Sequence, residues 1–225
     1  YTAHVKDGYV DFYVRGEDDD HPLTARGCRL ALAGAGVVFV AALLALGVLA
    51  GPVAAALTLP GWTIGYLHAP QLDTNPVTAT AGYPLGIALA LVGGYYVHAG
   101  RFSTLAVALA VVFLVVLSGI KVIDDATDYD YDRSIDKRTV AVAVGPREAY
   151  RVAYALMVTG MVAVVALAVG LPAMPRSAVF APVVFGVVAA IARRADPELA
   201  TALLIRGSYL FLAVLVIAAG FRPFS

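Results

Sequence analysis

Asp124, Asp128 and Asp132 stand at four-residue steps inside the stretch 121–139, directly after an apolar run at 102–120. On a helix such steps put the carboxylates about 6 Å apart along one slowly drifting face. Like charges that close repel each other, and a hard divalent cation such as Mg2+, held by oxygen ligands, is the usual device that offsets the repulsion. The same spacing in a soluble sequence reads as a solvated helix end; the apolar surroundings here favour the cation. Lys121, Arg133, Lys137 and Arg138 flank the row and suit the neutralisation of a phosphate-bearing group, or else act only as charges that set membrane topology. A sparser acidic pair, Asp7 and Asp11, stands one helical turn apart near the start, with Arg15 one turn further on.

The elements that must position these groups are apolar. The chain has 225 residues, of which 60% are hydrophobic and 14% charged, and its mean hydropathy of +0.81 describes an integral membrane protein. Net charge is zero, so no basic field or Lys/Arg-rich patch points to nucleic acid. The single cysteine, Cys28, excludes an intrachain disulfide or a Cys-rich zinc site and reads as a small residue at a helix start. The first ten residues carry neither a basic region nor an apolar one, so no signal peptide is expected there.

Residues 1–15 read as the polar end of a helix whose earlier part is missing. The run Asp18–Asp20 that follows reads as solvated surface. Apolar segments at 29–50, 52–68, 83–99, 102–123, 149–171, 177–192 and 199–221 then give seven whole spans, with a kink expected at Pro60 and a turn-rich loop over 69–82. Lys and Arg divide unevenly between alternate loops. Nine (Arg15, Arg26, Arg29, Arg133, Lys137, Arg138, Arg147, Arg193, Arg194) fall on one side against three (Arg101, Arg176, Arg222) on the other. The positive-inside rule then turns both acidic clusters to the cytoplasm, in one shared polar chamber.

The stretch 7–27, DGYVDFYVRGEDDDHPLTARG, resembles the NxxxDxxxD motif and following Pro-Leu loop of UbiA-type membrane prenyltransferases. The stretch 124–145 resembles their second motif, DxxxDxxxD, and 66–70, YLHAP, is similar to a YSAPP segment of many members. The resemblance covers essentially the whole chain. It implies an all-α polytopic bundle around a central cavity, in a single domain of which residues 1–225 hold seven whole transmembrane helices and part of another. On that scheme the first helix and most of the second are absent.

The resemblance further implies transfer of an isoprenyl group from a prenyl diphosphate to a lipophilic acceptor in the cell membrane. Mg2+ held by Asp7, Asp11, Asp124, Asp128 and Asp132 would draw off the diphosphate, with Asp11, Asp124, Asp128 and Asp132 as the catalytic set. Arg15, Lys121, Arg133, Lys137, Arg138 and Tyr66 are the expected substrate contacts. Three positions depart from the pattern: Asp7 replaces Asn, Arg15 replaces the third acid, and Pro70 with the polar stretch 71–75 replaces a region where many members carry Lys or Arg.

Arg206 lies inside the last apolar segment and either reaches the chamber or snorkels to the interface. His68 and His98 have no partners at ligand spacing. Most of Tyr9, Tyr13, Tyr66, Tyr83, Tyr95 and Tyr96 read as interfacial belt residues, with a prenyl channel as the other use. The competing functions are an ion-coupled transporter, a CDP-alcohol phosphatidyltransferase and a non-catalytic lipid-binding relative. Carboxylates at helix ends speak against the first, and the lack of an arrangement in which Asp-Gly and an Ala-Arg pair precede a GxxxDxxxD tail speaks against the second. Neither the acceptor, the prenyl length nor the oligomeric state follows from the sequence.

Overall fold

The computed structural model describes residues 1–16 and 20–221. Asp18, Asp19 and Arg222, which enter the sequence reading, lie outside these residues. Helix α1 (Thr2–Val10) runs into a π-helical turn, Asp11–Arg15, closed by Gly16 at φ 68°. There follow α2 (Ala25–Leu49), α3 (Pro52–Leu67), α4 (Pro76–Ala99), α5 (Thr104–Thr127), the short α6 (Tyr129–Ser134) and α7 (Val140–Val144), then α8 (Pro146–Gly170), α9 (Phe180–Ala192) and α10 (Pro197–Phe221). Among the described residues no strand occurs. The all-α polytopic bundle expected from the sequence is therefore what forms.

Local chemistry sets the helix starts. The side chains of Thr24, Asn75, Ser103 and Thr139 each accept from a backbone N–H two or three residues on and cap α2, α4, α5 and α7. Pro52, Pro76 and Pro146 stand in the first turn, where a missing N–H costs nothing. Gly51 at φ 90° and Gly100 at φ 65° allow the reversals α2–α3 and α4–α5.

The expected loop over 69–82 is shorter than predicted, because Asn75-Pro76 is a cap followed by a first-turn proline and the helix begins there, not at Tyr83. α3 also passes through Pro60 as a continuous helix. Five helices, α2, α4, α5, α8 and α10, are long and apolar enough to cross a membrane. The other two expected spans are shorter: α3 has 16 residues, about 24 Å of helix, and the last one before α10 is a 3-10 turn, Arg176–Val179, leading into the 13 residues of α9.

α5 is the axis of the bundle. Val116, Val122 and Ile123 are fully buried, and the core continues through Met157 and Val164 of α8, Phe185 of α9, and Leu204 and Phe211 of α10. α5 packs on α4, α8 and α10, while α2 touches α1 and α3 and buries none of its spanning window. The α5–α8 contact is backbone-close at Gly119, where a Cβ would stand 2.7 Å from the carbonyl oxygen of Ala153 and 2.9 Å from Met157 Cγ. Close approach of this kind is how helices gain packing energy where lipid offers no hydrophobic drive between them.

Gly119→Ala should lower the stability of the detergent-solubilised protein by about 1–3 kcal/mol through overpacking. Gly34→Ala, where a Cβ meets nothing within 4 Å, should leave the thermal midpoint unchanged or slightly raised. Helical circular dichroism on heating compares the two, and equal midpoints for both variants would refute the tight contact.

Candidate functional site

The helix ends at residues 15, 67, 76, 127, 146, 192 and 197 lie on one side of the bundle by alternation of the spans, and the charged groups gather there. The row of three carboxylates is not carried by one continuous helix. α5 ends at Thr127, whose hydroxyl donates to the carbonyl of Asp124 at 2.7 Å, and Asp128 sits at the break with φ −99° and ψ 17°. The turn leaves Asp128 exposed and buries Asp132, which is 5% exposed in the first turn of α6. Asp124 stays half-buried at the end of α5.

Lys121, on the same helix, donates to Asp124 Oδ2 at 3.0 Å and to Asp125 Oδ1 at 2.6 Å. Asp125 was not among the expected site residues although its four-residue step from Lys121 was visible. Its second oxygen, Oδ2, is buried with no hydrogen-bond partner among the described groups. Lys137 Nζ lies 4.0 Å from Asp132 Oδ1 and 5.7 Å over the Tyr131 ring, and it acts electrostatically on Asp7, Asp125 and Asp132 together. One lysine therefore faces groups from both acidic stretches. Arg133 and Arg138 are exposed at the rim, and the Arg138 backbone N–H donates to the carbonyl of Asp73 at 2.9 Å.

Asp73, which no sequence pattern singled out, lies in the connection between α3 and α4 and is 8% exposed. Its Oδ2 accepts from Arg15 Nη2 at 2.5 Å, and Arg15 Nη1 donates to Asp11 Oδ1 at 3.1 Å. Arg15 does continue the face of Asp11, as its spacing predicts, but its two terminal nitrogens engage carboxylates and not open solvent. Asp7 is held above the ordinary carboxylate range, first by burial and then by the charge of Asp11, with His68 and Lys137 opposing.

Beneath these charges a cavity of about 980 Å³ opens between α3, α4, α5 and α10. His68, Lys121 and Asp124 form its polar end, and its wall is apolar, with Trp62, Phe113 and Tyr209 as the large rings. Its room comes from missing side chains: a Cβ at Gly61, Gly86 or Gly94 would meet nothing within 4 Å. Tyr66, expected at the substrate, does not line it. The ring stacks on Trp62 at 5.3 Å and 18°, and Lys6 Nζ stands 4.4 Å over it while donating to its backbone carbonyl. On the same stretch Trp62, Ile64, Gly65 and His68 line the cavity, and the Tyr66 ring lies behind Trp62. Tyr83 does line it. Arg206 is exposed and does not, in keeping with snorkelling along α10.

Among the described residues, no three His, Cys, Asp or Glu side chains converge as a ready-made metal-ligand group. Mg2+ does not need one, because it keeps several waters and takes one or two carboxylates together with substrate phosphates. The second cluster fits such an ion: Asp124, Asp125, Asp128 and Asp132 are hard oxygen donors, they outnumber the two lysines beside them, and Asp125 Oδ2 is orphaned. The first cluster fits it less well, because a guanidinium already lies between Asp11 and Asp73.

A family model described as "UbiA prenyltransferase family" matches residues 20–220, beginning beyond Asp7, Asp11 and Arg15. Searches of curated proteins and of solved structures gave no match.

Burial, opposed by Lys137 and reinforced by Asp125, raises the Asp132 carboxyl to about 6. Between roughly pH 4 and this value the folded protein keeps a proton that the unfolded chain has released, so the group's contribution to stability falls as pH rises through that window. Asp132→Asn removes the effect. In chelator the variant should unfold at a higher temperature than the parent at pH 8, and the two midpoints should converge toward pH 4. A difference that does not change with pH would overturn the assignment.

Proposed function

The chain belongs to the UbiA prenyltransferase family, a multi-pass membrane family with prenyltransferase-type activity, and from that premise we propose that it moves an isoprenyl group from a prenyl diphosphate to a lipophilic acceptor with the help of Mg2+. The observation that supports this most is the apolar cavity of about 980 Å³ whose polar end is Lys121, Asp124 and His68, directly under the acidic and basic groups of 121–139. Its shape and chemistry match an amphiphile with a long hydrocarbon tail and an anionic head.

In this reading the tail lies along the glycines of α3 and α4. The head meets Lys121 and Lys137 inside, with Arg133 and Arg138 at the rim. Asp124, Asp125, Asp128 and Asp132 would hold Mg2+, and Asp7 and Asp11 complete the acidic wall. Mg2+, when bound, neutralises charge on the departing diphosphate as a Lewis acid. The carbon–oxygen bond to diphosphate breaks with both electrons leaving on oxygen, a bond forms between that carbon and a nucleophilic atom of the acceptor, and the acceptor gives up a proton. The apolar wall keeps water from the reacting carbon, which would otherwise yield the free alcohol. The excess of Lys and Arg at this end supports a site at the cytoplasmic face of the cell membrane.

Purified protein in nanodiscs, given labelled geranylgeranyl diphosphate, Mg2+ and a lipid extract, should form a labelled lipid. Chelation should stop the reaction, Asp124→Asn should slow it about 100-fold by removing a ligand at the cavity mouth, and Gly86→Leu should favour shorter prenyl donors. Tight binding of the donor with no product would favour the non-catalytic lipid-binding reading.

Topology is checked separately. With Cys28 replaced by Ala, a cysteine at Ser134 should resist an impermeant thiol reagent added to intact cells and react after permeabilisation. Labelling of intact cells would put the site on the wrong face.

A further inference from the structure

Arg15 stands between two carboxylates from distant parts of the chain, Asp11 on its own turn and Asp73, 58 residues away. All three side chains are largely withdrawn from water, at 13%, 19% and 11% exposure. A guanidinium cannot lose its proton in a protein, and its planar fork serves two acceptors at once. For Asp11 and Asp73 it does what a metal ion would do, with no dependence on supply. Removing it from this pair would leave two desolvated carboxylates facing each other, a costly state. A hydrated divalent ion would have to displace it against that cost.

Among the described residues, no guanidinium is paired between the carboxylates of the second cluster. Two lysines face four aspartates there, Lys121 satisfies only one oxygen of Asp125, and Lys137 stands off Asp132 at 4.0 Å. The two clusters are joined where the Arg138 N–H meets the Asp73 carbonyl, so the Arg15–Asp73 pair also fixes the connection that the second cluster leans on.

We propose that Arg15 is the permanent cation of the first acidic cluster, so that the protein binds one divalent cation, at the second cluster, and not two. The inference rests on the proposed function only in taking that ion to be a divalent metal, and it is read without any prenyl substrate.

Mn2+ bound to the purified full chain in detergent micelles is counted by electron paramagnetic resonance. The parent and Arg15→Lys should each hold one ion, Asp73→Asn should still hold one, and Arg15→Gln should gain a second of weaker affinity. Asp124→Asn combined with Asp132→Asn should lose the parent's ion. Two ions of similar affinity in the parent, or one ion in both the parent and Arg15→Gln, would overturn the inference and leave prenyl transfer untouched. No ion in the parent would overturn it together with the metal-assisted part of the proposed function. If Arg15→Gln does not fold, the parent's count decides alone: one ion, unaffected by Asp73→Asn, supports the inference, and two refute it.

Discussion

Charge in an apolar bundle must be neutralised locally, and this constraint shapes the charged end of the molecule. Five carboxylates at that end are answered by cations that the fold delivers: Arg15 for Asp11 and Asp73, Lys121 for Asp124 and Asp125, Lys137 for Asp132. Three of these pairs are local, three or four residues apart: Arg15–Asp11, Lys121–Asp124 and Lys121–Asp125. The pairs Arg15–Asp73 and Lys137–Asp132 reach across breaks in the helices, and they determine how the connections after α3 and after α5 lie. Lys137 is placed by the turn through Asp136 at φ 60°, and its backbone N–H donates to the Asp132 carbonyl at 3.0 Å.

Below the charges the bundle divides into a dense half and an open half. On α5 and α8, glycine serves contact, since Gly119 and Gly160 let the helices approach until an added Cβ would collide. On α3 and α4, glycine serves space, since Gly61, Gly86 and Gly94 leave a trough with no neighbour to fill it. The same residue type gives rigidity in one place and room in the other. The dense half holds α5 still, and α5 carries the groups at the cavity's polar end, Lys121 and Asp124. A family with prenyltransferase-type activity needs both properties, a long apolar volume and a fixed charged mouth.

The spans and the second acidic stretch were legible because hydropathy and four-residue spacing are local properties. So was the Arg15–Asp11 pairing, which spacing alone places on one face. The helix start at Pro76 was also written in the sequence, as Asn75 followed by proline, but the polar run around it read as loop. Asp73 and His68 were not legible: their significance comes from neighbours on other helices. Nor was the position of Tyr66 legible, because a motif resemblance does not say that its ring stacks behind Trp62 rather than on the cavity wall.

By itself the sequence determined that this chain is an all-α membrane bundle with a carboxylate-rich end flanked by cations, because burial of apolar length and repulsion among spaced carboxylates follow from residue type and distance along the chain. Only the tertiary structure decided which carboxylate meets which cation, that the helix breaks at Asp128, and that the glycines of α3 and α4 face one shared volume. Those outcomes depend on how separate helices are rotated and packed against one another, and no one-dimensional pattern encodes a rotation.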